Sequence, residues 1–205
     1  MPNLSQARAS LAIAAFLIRG QFVCVRHTGH LFAKHSGKPY TIVCGFFEFL
    51  AEMLGHMLIE IRWHGRGGQG IVSVSRLLAE AALLDKKFVQ SFPEFGPERS
   101  GAPVRGFTRI SDEPISIHCQ IYNPNVVVVV DPTLLGTNVA SGLSENGAII
   151  ANSERTPEEL KRTFAVKNAQ VYSVNARRIA LDVLGRPIYN TAMLGALLKV
   201  KPITS

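Results

Sequence analysis

The chain has 205 residues, 47% of them hydrophobic and 18% charged, with a formal net charge of +7. That length and balance suit one compact domain with room for a short extra piece. No apolar run reaches the roughly 18 residues a membrane-spanning helix requires, and the positive charges are dispersed rather than blocked. Neither a membrane nor a nucleic acid is therefore an expected partner.

Residues 1–56 stand apart in composition. They hold four of the six His, two of the three Cys and six of the eleven Phe, but only seven charged side chains. They read as an unassigned N-terminal extension, either poorly ordered or the product of a misplaced start, with the true chain beginning at Met57 or Met53. The apolar stretch Leu11–Ile18 lacks the small-residue cleavage site of a signal peptide.

From Met57 the pattern becomes regular. Leu58–Trp63 reads as a buried strand, followed by a glycine loop and a helix from about Gly70 to Leu84. Phe88–Phe92 reads as a second strand, and Pro93–Pro103 as a loop dense in Pro and Gly. Val104–Ile110 and Ile115–Ile121 alternate as a strand pair turned by Ser111–Pro114. The valine run Val126–Val130 predicts a central parallel strand covered on both faces. A helix is expected over Pro132–Leu143, with a weak start. Ala148–Ala151 is a further strand. Thr156, Pro157 and Glu159 form a capping box that starts a helix through Phe164. Gln170–Val174 is the last strand. Asn175 opens a helix closed by Gly185, and Asn190 caps a final one, Thr191–Val200. Strands alternating with helices give an α/β fold with a mostly parallel sheet, Rossmann-like and three-layered, with an added strand pair. The domain spans 57–205, and its C-terminus reads as shortened.

Two constellations carry chemistry. Gly65, Arg66, Gly67, Gly68, Gln69 and Gly70 join a strand to a helix and satisfy G-x-G-x-x-G. The spacing permits a tight turn, close backbone approach and free N–H groups that favour an anion. A nucleotide loop of the Walker type fails, because Ile71 and Val72 stand where Lys and Ser/Thr are required. Dinucleotide binding is weakened, because Asp85 falls before the second strand rather than at its end. The bland reading is that the glycines only allow close packing against another chain.

The second constellation is Phe92–Pro103. It includes Glu94, Glu98 and Arg99 and should share the carboxyl edge of the sheet with the glycine loop. Arg99 and Arg105 suit a phosphate or carboxylate. The bland alternative pairs Arg99 with Glu94 or Glu98. His64 is either a structural histidine or a donor to an anion; Asp131 is either a cap or a ligand group; Cys119 reads as core. Cys24, Cys44 and Cys119 are too few and too dispersed for a disulfide framework, a cubane iron–sulfur cluster or a Cys-rich zinc site. A metal site is not expected, and a reducing, cytoplasmic compartment is.

Four segments carry a resemblance. Met57–Gly70, Phe92–Val104, Phe107–Ile115 and Gly185–Ala196 together resemble gamma subunits of pyruvate (2-oxoacid):ferredoxin oxidoreductase, also known as pyruvate synthase, from Met57 to about Val200. One departure is Ser100, where that family often has a second Arg. The resemblance implies a complex that converts pyruvate, coenzyme A and oxidised ferredoxin to acetyl-CoA, carbon dioxide and reduced ferredoxin, reversibly. It implies that this chain binds no cofactor alone, and that thiamine diphosphate, Mg and 4Fe-4S clusters sit on partner alpha, beta and delta subunits. It points to Gly65–Gly70 and to Glu98 and Arg99 as cofactor-binding or interface residues, with no catalytic residue assignable. A 2-oxoisovalerate enzyme is the alternative within the family. A free-standing NAD(P)-binding protein or a polyanion-binding module is the alternative outside it.

Overall fold

The computed structural model describes residues 57–94, 101–136 and 138–204. β1 (Leu58–Arg66) leads through the glycine loop into α1 (Ile71–Leu84). β2 (Phe88–Glu94), β3 (Pro103–Ser111) and β4 (Val126–Val129) follow. Then come β5 (Ala148–Asn152), α2 (Pro157–Phe164), β6 (Gln170–Val174), α3 (Ala176–Leu184) and α4 (Tyr189–Val200). Among the described residues no helix is long and apolar enough to cross a membrane.

The six strands form one sheet in the order β2-β3-β1-β4-β5-β6. β1, β4, β5 and β6 run parallel to one another, whereas β3 is antiparallel to both β1 and β2. Chain order makes β1 and β4 the point where the connections reverse direction. Alternation along the strands sends side chains to two cores. Val126, Val128 and Ile150 pack with Ile71, Val74 and Leu78 of α1 and with Met193 and Leu197 of α4. Val127, Val129 and Ile149 pack with Leu160 and Phe164 of α2. Val126 to Val130 are wholly buried. Each valine so buried stabilises the fold by about 1.5–3 kcal/mol before conformational entropy is counted.

The caps explain the helix ends. Thr156 and Glu159 form the reciprocal capping box at α2. Asn175 accepts from the Arg178 N–H at α3, and Gly185 ends that helix in the left-handed region.

Four expectations are corrected. Ile115–Ile121 is not a strand. Both edges of β3 are already paired by β1 and β2, so no ladder edge is left for this segment. It is instead tied by side chains: Gln90 Nε2 donates to the Ile115 carbonyl at 3.4 Å, and Arg109 Nη2 reaches Cys119 Sγ at 3.9 Å. Cys119 is accordingly half-buried rather than a core strand residue. The expected helix over 132–143 is reduced to one 3-10 turn, Pro132–Leu134. Gly142 breaks it with a φ of 74°, and a Cβ there would lie 2.1 Å from the Tyr122 carbonyl oxygen. Asn190 lies inside the first turn of α4, whose cap is Ile188. Lastly, Glu94 ends β2 instead of standing in a loop.

Candidate functional site

The carboxyl ends of β1 and β4 meet at the reversal point, where open α/β sheets leave a crevice for ligands. Here the glycine loop faces Asp131 and Thr133. The loop is tied to its surroundings by its own atoms. Arg66 N donates to Gln69 Oε1 at 2.9 Å, Gln69 N to the Arg66 carbonyl at 3.1 Å, and Gly67 N to the Ala102 carbonyl at 2.9 Å. Gln69 Nε2 donates to Asp131 Oδ2. The Arg66 guanidinium donates to Thr133 Oγ1 through Nε and Nη2, at 3.0 and 2.9 Å, and to the Gly101 carbonyl through Nη1 at 3.1 Å. Asp131 accepts from Thr133 N at 2.8 Å and lies 3.8 Å from Arg66 Nε. Asp131 is thus both a cap and a hub. Burial by itself would raise its pKa, but the hydrogen bonds from Thr133 and Gln69 and the charge of Arg66 prevail and hold it below the ordinary value.

Each glycine has its own reason. Gly65 carries no Cβ because Ile71 Cδ1 would lie 2.3 Å away. Gly70, the cap of α1, has φ 74° and ψ 28°, and a Cβ there would meet Asn190 Nδ2 at 2.3 Å. Gly68 has φ 91° with open space around it. Gly70 therefore packs against α4, an arrangement that the G-x-G-x-x-G spacing alone does not reveal. Glu98 and Arg99 lie outside the described residues. The stems on either side of them are fixed: Gly101 and Ala102 by the glycine loop, and Glu94 by Arg105, whose Nη2 donates to Oε1 at 2.9 Å. Glu94 is thus paired with Arg105, and the alternative that pairs Arg99 with Glu94 or Glu98 falls outside the described residues.

Beside this crevice is a cleft of about 290 Å³ lined by His64, Glu94, Val104, Arg105, Leu134 and Val139, among others. His64 and Arg62 share one face of β1, and the alternation that puts Trp63 in the core puts both of them on the opposite side. Arg62 Nε donates to His64 Nε2 at 3.1 Å, and its Nη2 donates to the carbonyls of Val139 and Ser141 at 2.9 and 2.5 Å. Burial, with Arg62 and Arg105 nearby, pushes the His64 pKa down to about 3. Burial and Arg105 lower that of Arg62 to about 10, against a small upward pull from Glu94. His64 is therefore neutral, and the bond from Arg62 assigns its proton to Nδ1.

A buried pair sits deeper in the same row. Arg109 Nε lies 2.5 Å from Glu60 Oε1, with side chains 1% and 3% exposed. Sequence patterning, which made Leu58–Trp63 a buried strand, gave no role to Glu60, Arg62 or Arg109, because their partners lie on other elements of the sheet. Among the described residues no group of three or more His, Cys, Asp or Glu could hold a metal ion.

Comparison with known proteins agrees with this architecture. Residues 60–205 match the family model described as pyruvate ferredoxin/flavodoxin oxidoreductase. The chain is 55% identical over 147 residues, 71% of its length and 80% of the relative's, to the pyruvate/ketoisovalerate oxidoreductases common subunit gamma of Thermococcus litoralis. It is 50% identical over 149 residues, 72% of its length and 80% of the relative's, to pyruvate synthase subunit PorC of Methanocaldococcus jannaschii. The crystal structure of the pyruvate oxidoreductase subunit PORC of Thermotoga maritima superposes with a TM-score of 0.66 at 47% identity, covering 72% of this chain and 79% of that one. With the family model spanning most of the chain and the fold agreeing, the chain belongs to the pyruvate ferredoxin/flavodoxin oxidoreductase family, as a gamma-type subunit of a 2-oxoacid:ferredoxin oxidoreductase.

Proposed function

We propose that this chain completes a complex that oxidatively decarboxylates pyruvate with coenzyme A and ferredoxin, giving acetyl-CoA and carbon dioxide reversibly. The observation that carries the reading is the identity of about half the residues with relatives named for pyruvate. In this reading alpha, beta and delta type partners hold thiamine diphosphate, Mg and the 4Fe-4S clusters, ferredoxin takes the electrons, and the complex works in the cytoplasm. Residues 57–205 form the module that docks. Thiamine diphosphate supplies a nucleophilic carbanion when bound, and protein groups supply placement and electrostatics. The Arg66–Asp131–Gln69–Thr133 network would then serve as a rigid platform. It holds the glycine loop against Gly101 and Ala102, and in this reading Glu98 and Arg99 contact a partner subunit or coenzyme A.

A second oxoacid has one specific observation in its favour. The Thermococcus relative is named as a subunit common to pyruvate and ketoisovalerate enzymes. If this chain is likewise shared, discrimination between oxoacids resides in the other subunits. The test is reconstitution: the four chain types are co-expressed, and pyruvate- and coenzyme A-dependent reduction of ferredoxin is followed. Omitting this chain should abolish turnover, and swapping pyruvate for 2-oxoisovalerate reads the second substrate. Undiminished turnover without this chain, or pyruvate oxidation by this chain alone, overturns the proposal.

A further inference from the structure

The cleft beside β1 has an electrostatic imbalance that its lining side chains leave uncorrected. Arg62 is 5% exposed and is satisfied by one imidazole nitrogen and two carbonyls, none of which carries charge. Glu60, two residues back on β1, is taken up by Arg109, and Glu94, the carboxylate whose charge acts on Arg62, already pairs with Arg105: Nε lies 2.7 Å from Oε2 and Nη2 donates to Oε1. Register sets the four groups side by side, with His64 opposite Arg105 and Arg105 opposite Glu94. With His64 neutral, the row holds two guanidiniums and one carboxylate, one positive charge in excess. A buried cation without a counter-charge is costly, and an anion brought beside it is correspondingly favoured.

A second, independent feature lies at the same place. His64 is 8% exposed, and its Nε2 is occupied by Arg62, so Nδ1 carries the proton. No described residue accepts that proton. An N–H without a protein acceptor is free to donate to a ligand, and His64 lines the cleft where one can be placed. The walls give the third constraint: Pro103, Val104, Leu134 and Val139 present carbon. A cleft of about 290 Å³ lies at the small end of ligand sites.

We propose that this cleft binds a short-chain aliphatic carboxylate, its oxygens accepting from His64 Nδ1 over the buried Arg62 charge and its tail lying against Val104, Leu134 and Val139. A single negative charge matches the single uncompensated cation. The apolar walls disfavour a fully hydrated inorganic anion. Arg105 and the exposed Asn138 form the mouth.

The proposal concerns binding by this chain itself, so its test needs neither turnover nor partner subunits. The full chain, labelled with nitrogen-15 at histidine, is titrated with sodium propionate at constant ionic strength. The His64 ring resonances should shift saturably, with a midpoint of roughly millimolar, the range open to so small a ligand. Val104→Phe, which fills the wall without touching a charge, should weaken the midpoint at least tenfold. Asn138→Asp, an exposed position where a carboxylate repels the ligand, should do the same; it keeps the test valid if the first variant does not fold. A linear response equal to that of chloride overturns the proposal. So does tighter binding of inorganic phosphate than of propionate, or an unchanged midpoint in a folded variant.

Discussion

His64 illustrates how one side chain reports its surroundings. Its pKa is held at about 3 by burial first and by Arg62 and Arg105 second, against about 6.5 in the unfolded chain. Between those values the unfolded state binds the proton and the folded state does not. The stability contributed by neutral His64 is therefore complete above about pH 6.5 and is lost as pH falls toward 3. Nuclear magnetic resonance should show no titration of the His64 ring from pH 8 to 5. Urea unfolding of His64→Gln, which can still accept from Arg62, should depend less on pH across that window than unfolding of the natural chain. A His64 midpoint near 6.5 would refute the buried, cation-flanked site. The glycines offer a second residue-scale comparison. Gly70→Ala places a Cβ in the left-handed region and against Asn190 Nδ2, costing about 1–2 kcal/mol from the backbone alone and more from the clash. Gly68→Ala shares the positive φ but meets nothing, so it should cost only that backbone share of about 1–2 kcal/mol. In an Asn190→Ala background the difference between the two should shrink, because neighbouring sites are not additive.

β3 decides much at the level of elements. Its insertion between β1 and β2 brings Glu60 opposite Arg109 and Gln90 beside it. The Glu60–Arg109 pair is almost wholly buried, and Arg109 also lies over the Phe92 ring at 5.6 Å. Arg109→Met should destabilise by about 3–5 kcal/mol, because it strands a carboxylate in the interior. Removing both charges in Glu60→Leu/Arg109→Met should recover most of that loss. Urea midpoints of the two variants decide the matter: a double variant no more stable than the single one would show that the pair is worth more than its desolvation. The same register explains why the Ile115–Ile121 alternation fails to make a strand. A period of two says that one face of a segment is covered, not that a ladder edge is available to it.

For the whole molecule, the arrangement of the glycine loop bears on how a gamma-type subunit contributes to its enzyme. Arg66, Gln69 and Gly67 are bound to Thr133, Asp131, Gly101 and Ala102. The motif thereby joins three separate stretches of chain at one edge of the sheet. In the proposed complex, Arg99→Ala should lower turnover more than it lowers assembly. Gel filtration of the reconstituted complex alongside its turnover number checks this, and an equal loss of both assigns Arg99 to packing. Arg66→Ala, by contrast, should reduce thermal stability of this chain alone, because its guanidinium spans the loop, Thr133 and Gly101.

How much was legible depended on whether the controlling interactions are local. The valine run, the capping box at Thr156, the Asn175 cap and the Gly185 stop each act within a few residues. The α/β class and most element boundaries followed from those patterns. The strand-to-helix setting of the glycine loop was legible for the same reason. The neighbours of β3, the break of the 132–143 segment against the Tyr122 carbonyl, the packing of Asn190 on Gly70 and the buried row Glu60–Arg62–His64–Arg109 were not. Each depends on a partner in another segment of the chain, and alternation in a strand does not distinguish a polar face open to water from one covered by the rest of the chain. Sequence alone thus determined which elements form. Tertiary structure alone decided which of their polar side chains are shut away from water, because desolvation belongs to the assembled sheet and not to any segment of it.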